Sequence, residues 1–195
     1  FLGESAFDYC TSLTKAVIGS GVTTIIDNTF ENCSSLTEVT IPKSVTAIGD
    51  DAFYWCYKLI EVYNRSSLSL TKGSSSYGYV GYYAKNVYTP SSGASKLFTF
   101  GDYLFYNDNG SYLLMEYQGT DSDISLPDTV NGKGYAIYKY AFCYRDDLTS
   151  VIIPDSVTSI GDSAFCACTG LTSITIPDSV TSIGSYAFMG CTGLT

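Results

Sequence analysis

Residues 153–175 read IPDSVTSIGDSAFCACTGLTSIT, and residues 176–195 follow at once with IPDSVTSIGSYAFMGCTGLT. Sixteen of the twenty aligned positions are identical. The spacing of 23 that separates them runs outward through the chain: it joins Phe142, Phe165 and Phe188 and, earlier, Phe7, Phe30 and Phe53. Leu13, Leu36 and Leu59 keep the same step, as do Leu148, Leu171 and Leu194. A fixed period of this length marks a stack of small structural units. None of them can bury its apolar face alone, so each completes the interior of its neighbours.

Inside one unit the letters have physical content. LTEVTIP (36–42) and LTSITIP (171–177) carry the two-residue alternation of a strand with one buried face. Val39 and Ile41 point inward, and Glu38 and Thr40 point out. Pro42, Pro154 and Pro177 then end the strand, because proline cannot donate to a central ladder. Val157 and Ile160 of SVTSIG approach the core from the opposite wall, and a glycine follows for a tight turn. The Ala-Phe pair comes next, with the small residue near neighbouring backbone and the ring inside. The expected fold is a β-rich α/β right-handed leucine-rich repeat solenoid, with 23-residue repeats and a parallel concave sheet.

The pattern is regular over 1–59 and 124–195 and breaks over 60–123, which holds ten of the 18 tyrosines. That middle segment reads as a diverged coil with a longer return limb. In YGYVGYYAKNVY (77–88), Val80, Tyr83, Ala84 and Val87 fall at helical spacing and predict a short helix. NDNG (107–110) between aromatic strands predicts a hairpin that pairs 103–106 with 112–117. NGKG (131–134) lengthens the next coil, which bulges as a loop without ending the stack. The three segments are expected to form one continuous solenoid, a fragment of a longer chain with uncapped apolar ends available for self-association.

Cys10, Cys33 and Cys56 keep the period, as do Cys168 and Cys191, always three residues after the phenylalanine; Arg145 stands at that place in the coil between. A disulfide framework and a column of buried free thiols are both open readings. The column is favoured, because its spacing is that of the core and the seven cysteines are odd in number. If any pair is bonded, the second column, Cys143 and Cys166, is the first to suspect.

Composition excludes several functions. The net charge of −9 argues against a nucleic-acid partner, since phosphate binding needs clustered Lys and Arg. No apolar run is long enough to insert in a membrane as a helix. Histidine is absent, which removes Ser-His-Asp and Cys-His nucleophiles and His-ligated zinc. No CxxC or Cys/His cluster suggests a metal, and no cofactor is expected. A pair of carboxylates is the chemistry that remains, yet Asp50–Asp51, Asp121–Asp123 and Asp146–Asp147 lie in turn-like sequence. A carboxylate-dependent glycosidase is therefore the least favoured reading, and no enzyme is expected.

LTSITIPDSVTSIGDSAFCACTGL, with its Ile-Pro, Ile-Gly, Ala-Phe and Cys-x-x-Leu signposts, resembles the repeat of BspA-like leucine-rich repeat proteins. The departures are Gly19 in place of Pro, Thr29 in place of Ala and Arg145 in place of Cys. The resemblance implies a secreted or cell-surface microbial protein, some of whose relatives adhere to host extracellular-matrix or plasma proteins. It brings no catalytic residues, because its signposts are core positions. A protein-binding module would use the outward strand residues: Lys15 and Val17, then Glu38, Thr40, Glu61, Tyr63, Ser150, Ile152, Ser173 and Thr175. A structural spacer within a larger surface protein is the alternative.

Overall fold

The computed structural model describes residues 1–89 and 96–195, and the chain divides into two compact units, Phe1–Ala94 and Ser95–Thr195. Each unit is a β-solenoid.

In the first unit, β1 (Lys15–Val17), β3 (Glu38–Ile41), β5 (Glu61–Asn64) and β6 (Asn86–Tyr88) form a parallel four-stranded sheet. Lys15 lies beside Glu38 and Glu38 beside Glu61, so the ladder is the sequence period made physical. On the other wall β2 (Thr24–Ile25) pairs in parallel with β4 (Ala47–Ile48). Val39, Ile41 and Val62 turn into a core that also holds Phe30, Cys33, Leu36, Phe53, Cys56 and Leu59.

The corners are laddered as well as the strands. The Phe7 amide donates to the Thr29 carbonyl at 2.8 Å and the Phe30 amide to that of Ala52 at 2.8 Å. The phenylalanine rings therefore stack one per coil, with centroids 5.0 and 5.1 Å apart. Gly49 is fixed by crowding, not by a turn conformation: a Cβ there would lie 2.6 Å from the Asp27 backbone nitrogen. The same close approach governs Gly161 and Gly184 of the second unit.

Among the described residues there is no helix, so the one expected within 77–88 is not formed. The backbone there serves the coil ladder instead. Gly78 accepts from the Phe53 amide at 2.7 Å, and the Lys85 and Asn86 amides donate to the Ile60 carbonyl. Tyr77, Gly78 and Tyr79 take left-handed backbone angles that no α-helix accommodates. Val80 and Ala84 are buried all the same, because this diverged coil packs its interior in register, 25 residues on from β5. Residues 90–93 of the same low-complexity stretch lie outside the described residues.

The second unit combines regular coils with a three-stranded meander. β7 (Leu97–Phe100), β8 (Tyr103–Asp108) and β9 (Ser111–Tyr117) are antiparallel, and the expected hairpin turn has Asn109 and Gly110 both at positive φ. β9 then pairs in parallel with β11 (Tyr135–Ile137), which continues through β13 (Val157–Ile160) to β15 (Ser182–Ile183). The meander is thus built into the coil sheet. On the opposite wall β10 (Asp123–Ser125), β12 (Ser150–Ile152) and β14 (Ser173–Thr175) run parallel. Asp123 sits beside Ser150, four residues beyond the regular step, and the surplus is taken up by a turn closed between Val130 and Lys133.

The cysteine columns divide. Cys143 and Cys166 are joined by a disulfide, with Cα atoms 4.6 Å apart. Cys10, Cys33, Cys56, Cys168 and Cys191 are free. Each inner thiol donates to the carbonyl of the phenylalanine one coil earlier: Cys33 to Phe7 at 3.1 Å, Cys56 to Phe30 at 3.1 Å, Cys168 to Phe142 at 3.0 Å and Cys191 to Phe165 at 2.9 Å. Arg145 does the same work with a longer reach, donating to the Tyr117 carbonyl at 2.9 Å while Asp147 holds its other edge at 2.7 and 2.8 Å. Thr29 satisfies its buried hydroxyl on the Ile26 and Gly3 carbonyls.

Candidate functional site

The outward residues of the two parallel sheets form ordered rows because parallel register places equivalent residues side by side. In the first unit one row reads Lys15, Glu38, Glu61, Asn86 and the next Val17, Thr40, Tyr63, Tyr88. Lys15 pairs with Glu38 at 2.6 Å. Glu61, expected in solvent, is wholly enclosed: its carboxylate accepts the Tyr63 hydroxyl at 2.8 Å and the Tyr88 hydroxyl at 3.2 Å. Those two rings stack with centroids 4.8 Å apart. Glu61 is thus a residue that positions two tyrosines.

In the second unit the rows are Asp123, Ser150, Ser173 and Ser125, Ile152, Thr175. Asp123 Oδ1 accepts hydroxyls from Thr149 at 2.5 Å and Ser150 at 2.8 Å, and these bonds hold its carboxyl below the usual range. Ile152 is 61% exposed, and Val17 in the first unit is 67% exposed. The Tyr103 hydroxyl donates to the Ser125 carbonyl at 2.8 Å, and burial pushes its pKa up to about 12. All ten expected outward residues therefore lie on the two parallel sheets, six on the first and four on the second. Asn86, Tyr88, Asp123 and Ser125 complete the rows and were not anticipated. NVY at 86–88 echoes EVY at 61–63, a signal that the irregular step of 25 obscured.

Two further acids of these pairs are engaged structurally. Asp147 is tied to Arg145 and Asp121 contacts the Tyr117 hydroxyl. Among the described residues no group of three metal-ligating side chains comes together, and no helix is long and apolar enough to cross a membrane.

Stacked coils, a laddered corner and a row of outward strand residues define a repeat-solenoid protein. The model of the BspA type leucine rich repeat region matches residues 1–118 and 135–195 in six copies, and the chain belongs to that family. Among solved structures, a leucine rich cell surface protein from Faecalibacterium prausnitzii A2-165 is 25% identical with a TM-score of 0.50, over 99% of this chain and 62% of that one. A leucine-rich repeat protein from Eubacterium ventriosum ATCC 27560 is 23% identical with a TM-score of 0.47, over 93% and 59%. The chain thus spans about three fifths of the length of these relatives. No curated protein matches the chain.

Proposed function

We propose that the chain is a non-enzymatic protein-binding module of a secreted or cell-surface bacterial protein. Its ligand lies along the outward rows: Glu38, Thr40 and Tyr63 in the first unit, with Glu61 holding Tyr63, and Ser150, Ile152, Ser173 and Thr175 in the second. The observation that carries this reading is Ile152, 61% exposed at the end of the central strand β12, between Ser125 and Thr175. An exposed apolar side chain in the middle of an outward row suits the centre of an interface, and Val17 is its exposed counterpart in the first unit. The likeness to a bacterial cell surface protein supports the setting. A host matrix or plasma protein is the partner class that fits such a setting.

The test is retention of plasma or matrix proteins on the immobilised chain. Retention should fall about tenfold for Ile152→Glu, the loss expected when a charge is forced into an apolar contact. Circular dichroism should not change. Unchanged retention by that variant would remove this face from consideration. A wild-type chain that retains nothing would leave the spacer reading in its place.

A further inference from the structure

Asn-Gly stands twice in the chain, at 109–110 and at 131–132, and both asparagines are exposed. Each pair turns with left-handed angles, φ 55° and 95° at the first and 50° and 72° at the second. Asparagine before glycine can react with its own backbone. The next amide nitrogen attacks the side-chain carbonyl carbon, and glycine has no Cβ to hinder the approach. We propose that Asn131, and not Asn109, is a site of self-deamidation in the folded chain, with the Tyr112 hydroxyl assisting the departure of ammonia.

The reaction balances with water as its only co-reactant. The Gly132 nitrogen gives up its proton and bonds to Cγ of Asn131. The Cγ–Nδ2 bond breaks, and Nδ2 takes up a proton and leaves as ammonia, so a cyclic succinimide remains. Water then opens the ring at either carbonyl. The product is aspartate at 131 or isoaspartate, whose backbone runs through the former side chain. Either one adds a negative charge to the turn between β10 and β11.

The two turns differ at every group the reaction uses. In the hairpin the Gly110 amide donates to Asn107 Oδ1 at 2.7 Å, and Lys96 Nζ donates to Asn109 Oδ1 at 3.2 Å. The attacking nitrogen and the carbonyl under attack are thus tied to separate partners. Around Asn131 the leaving nitrogen is engaged instead, since Nδ2 donates to the Tyr112 hydroxyl at 3.2 Å. Once Cγ becomes tetrahedral, that nitrogen carries a basic lone pair and the hydroxyl can turn its proton toward it, as a general acid does. Tyr112 is held there by its place beside Tyr135 in the ladder and by the Phe98 ring, 5.7 Å away edge-on. Among the described residues no hydrogen bond holds the Gly132 amide.

The cost of opening differs as well, because a left-handed asparagine must rotate before the ring can close. Asn109 is backed by the continuous β8–β9 ladder. The turn of Asn131 is closed by an isolated pair, Val130 and Lys133, which exchange bonds of 2.9 and 3.0 Å. Such a closure opens locally at less cost than a turn with a ladder behind it.

The test keeps the intact chain in neutral buffer and follows both sites by peptide mapping that separates asparagine, aspartate and isoaspartate. Asn131 should convert at least about fivefold faster than Asn109, a factor that a modest difference in local opening supplies. Isoaspartate should be among its products. In denaturant, where both turns are lost, the two rates should converge. Tyr112→Phe, which keeps the ring, should slow Asn131 about tenfold and leave Asn109 as it was. Asn107→Ala should speed up Asn109 alone. The proposal is overturned if Asn109 keeps pace with Asn131 in the folded chain, or if their difference survives in denaturant. It is equally overturned if Tyr112→Phe, with unchanged circular dichroism, converts Asn131 at the wild-type rate or faster.

Discussion

Phe7 and Phe142 are each the first ring of a stacked column, yet Phe7 is 38% exposed and Phe142 is fully buried. In the first unit Phe7 stacks on Phe30. In the second, β9 lies beside β11, and Phe105, Leu114 and Tyr117 of the meander join the core that holds Phe142. A coil stack needs its terminal face covered, and strands that do not follow the repeat can do it. Arg145 belongs to the same contrast. Facing a coil, that position takes a thiol that donates to a phenylalanine carbonyl. Facing the meander, it takes a guanidinium that reaches the Tyr117 carbonyl.

The largest effect that would sharpen this contrast is expected within the columns. Phe165 has ring neighbours at 4.8 and 5.4 Å, and Phe165→Ala should cost about 3–5 kcal/mol. Phe7→Ala, at a partly exposed ring with one stacked neighbour, should cost well under half of that. Chemical denaturation midpoints compare the two, and equal losses would contradict the difference in cover.

Next comes the disulfide, which only the second unit has among the described residues. Its bridge spans 23 positions, and opening it should cost about 3 kcal/mol through the entropy returned to the unfolded chain. Hydrogen exchange before and after reduction should speed up in peptides around 143–166. Peptides around 30–56 should be unaffected.

A smaller effect is expected at the guanidinium. Arg145→Ala removes the donor to the Tyr117 carbonyl and should cost about 1–3 kcal/mol. Arg145 holds the Asp147 carboxyl below its usual range. A lowered carboxyl contributes stability above its unfolded pKa, near 3.9 for Asp, and loses it as pH falls through the folded value. The thermal midpoint of wild type should therefore exceed that of Asp147→Asn at pH 7, and the gap should close on acidification below about pH 4. A gap that persists in acid would show that the pair acts by packing alone.

What the sequence revealed follows the same division. Phe, Leu, Val and Ile at the repeat step were readable because each coil uses them identically, and Asn109-Gly110 was readable because a tight turn is local. The features that escaped depend on residues from another rung. Glu61 reads as an outward acid until Tyr88 is known to stand beside Tyr63. Helical spacing at 80–87 reproduces apolar positions that coil packing also requires, and only the left-handed angles of Tyr77 and Tyr79 separate the two. The docking of β9 on β11 joins segments with unrelated sequences, so no repeat could announce it.

The central claim, that the recurring residues face the coil interior of their own unit, is most directly tested by thiol labelling of the native chain. Cys10 is partly exposed, whereas Cys33, Cys56, Cys168 and Cys191 are buried, and burial raises the Cys168 pKa to about 12. Burial slows alkylation of all four, and the raised pKa slows it further at Cys56, Cys168 and Cys191. Mass spectrometry should find Cys10 modified quickly, the other four only on unfolding, and Cys143 and Cys166 only after reduction as well. Labelling of Cys33, Cys56 and Cys168 at the rate of Cys10, in a chain that keeps its native circular dichroism, would place the repeat column in water and contradict the account.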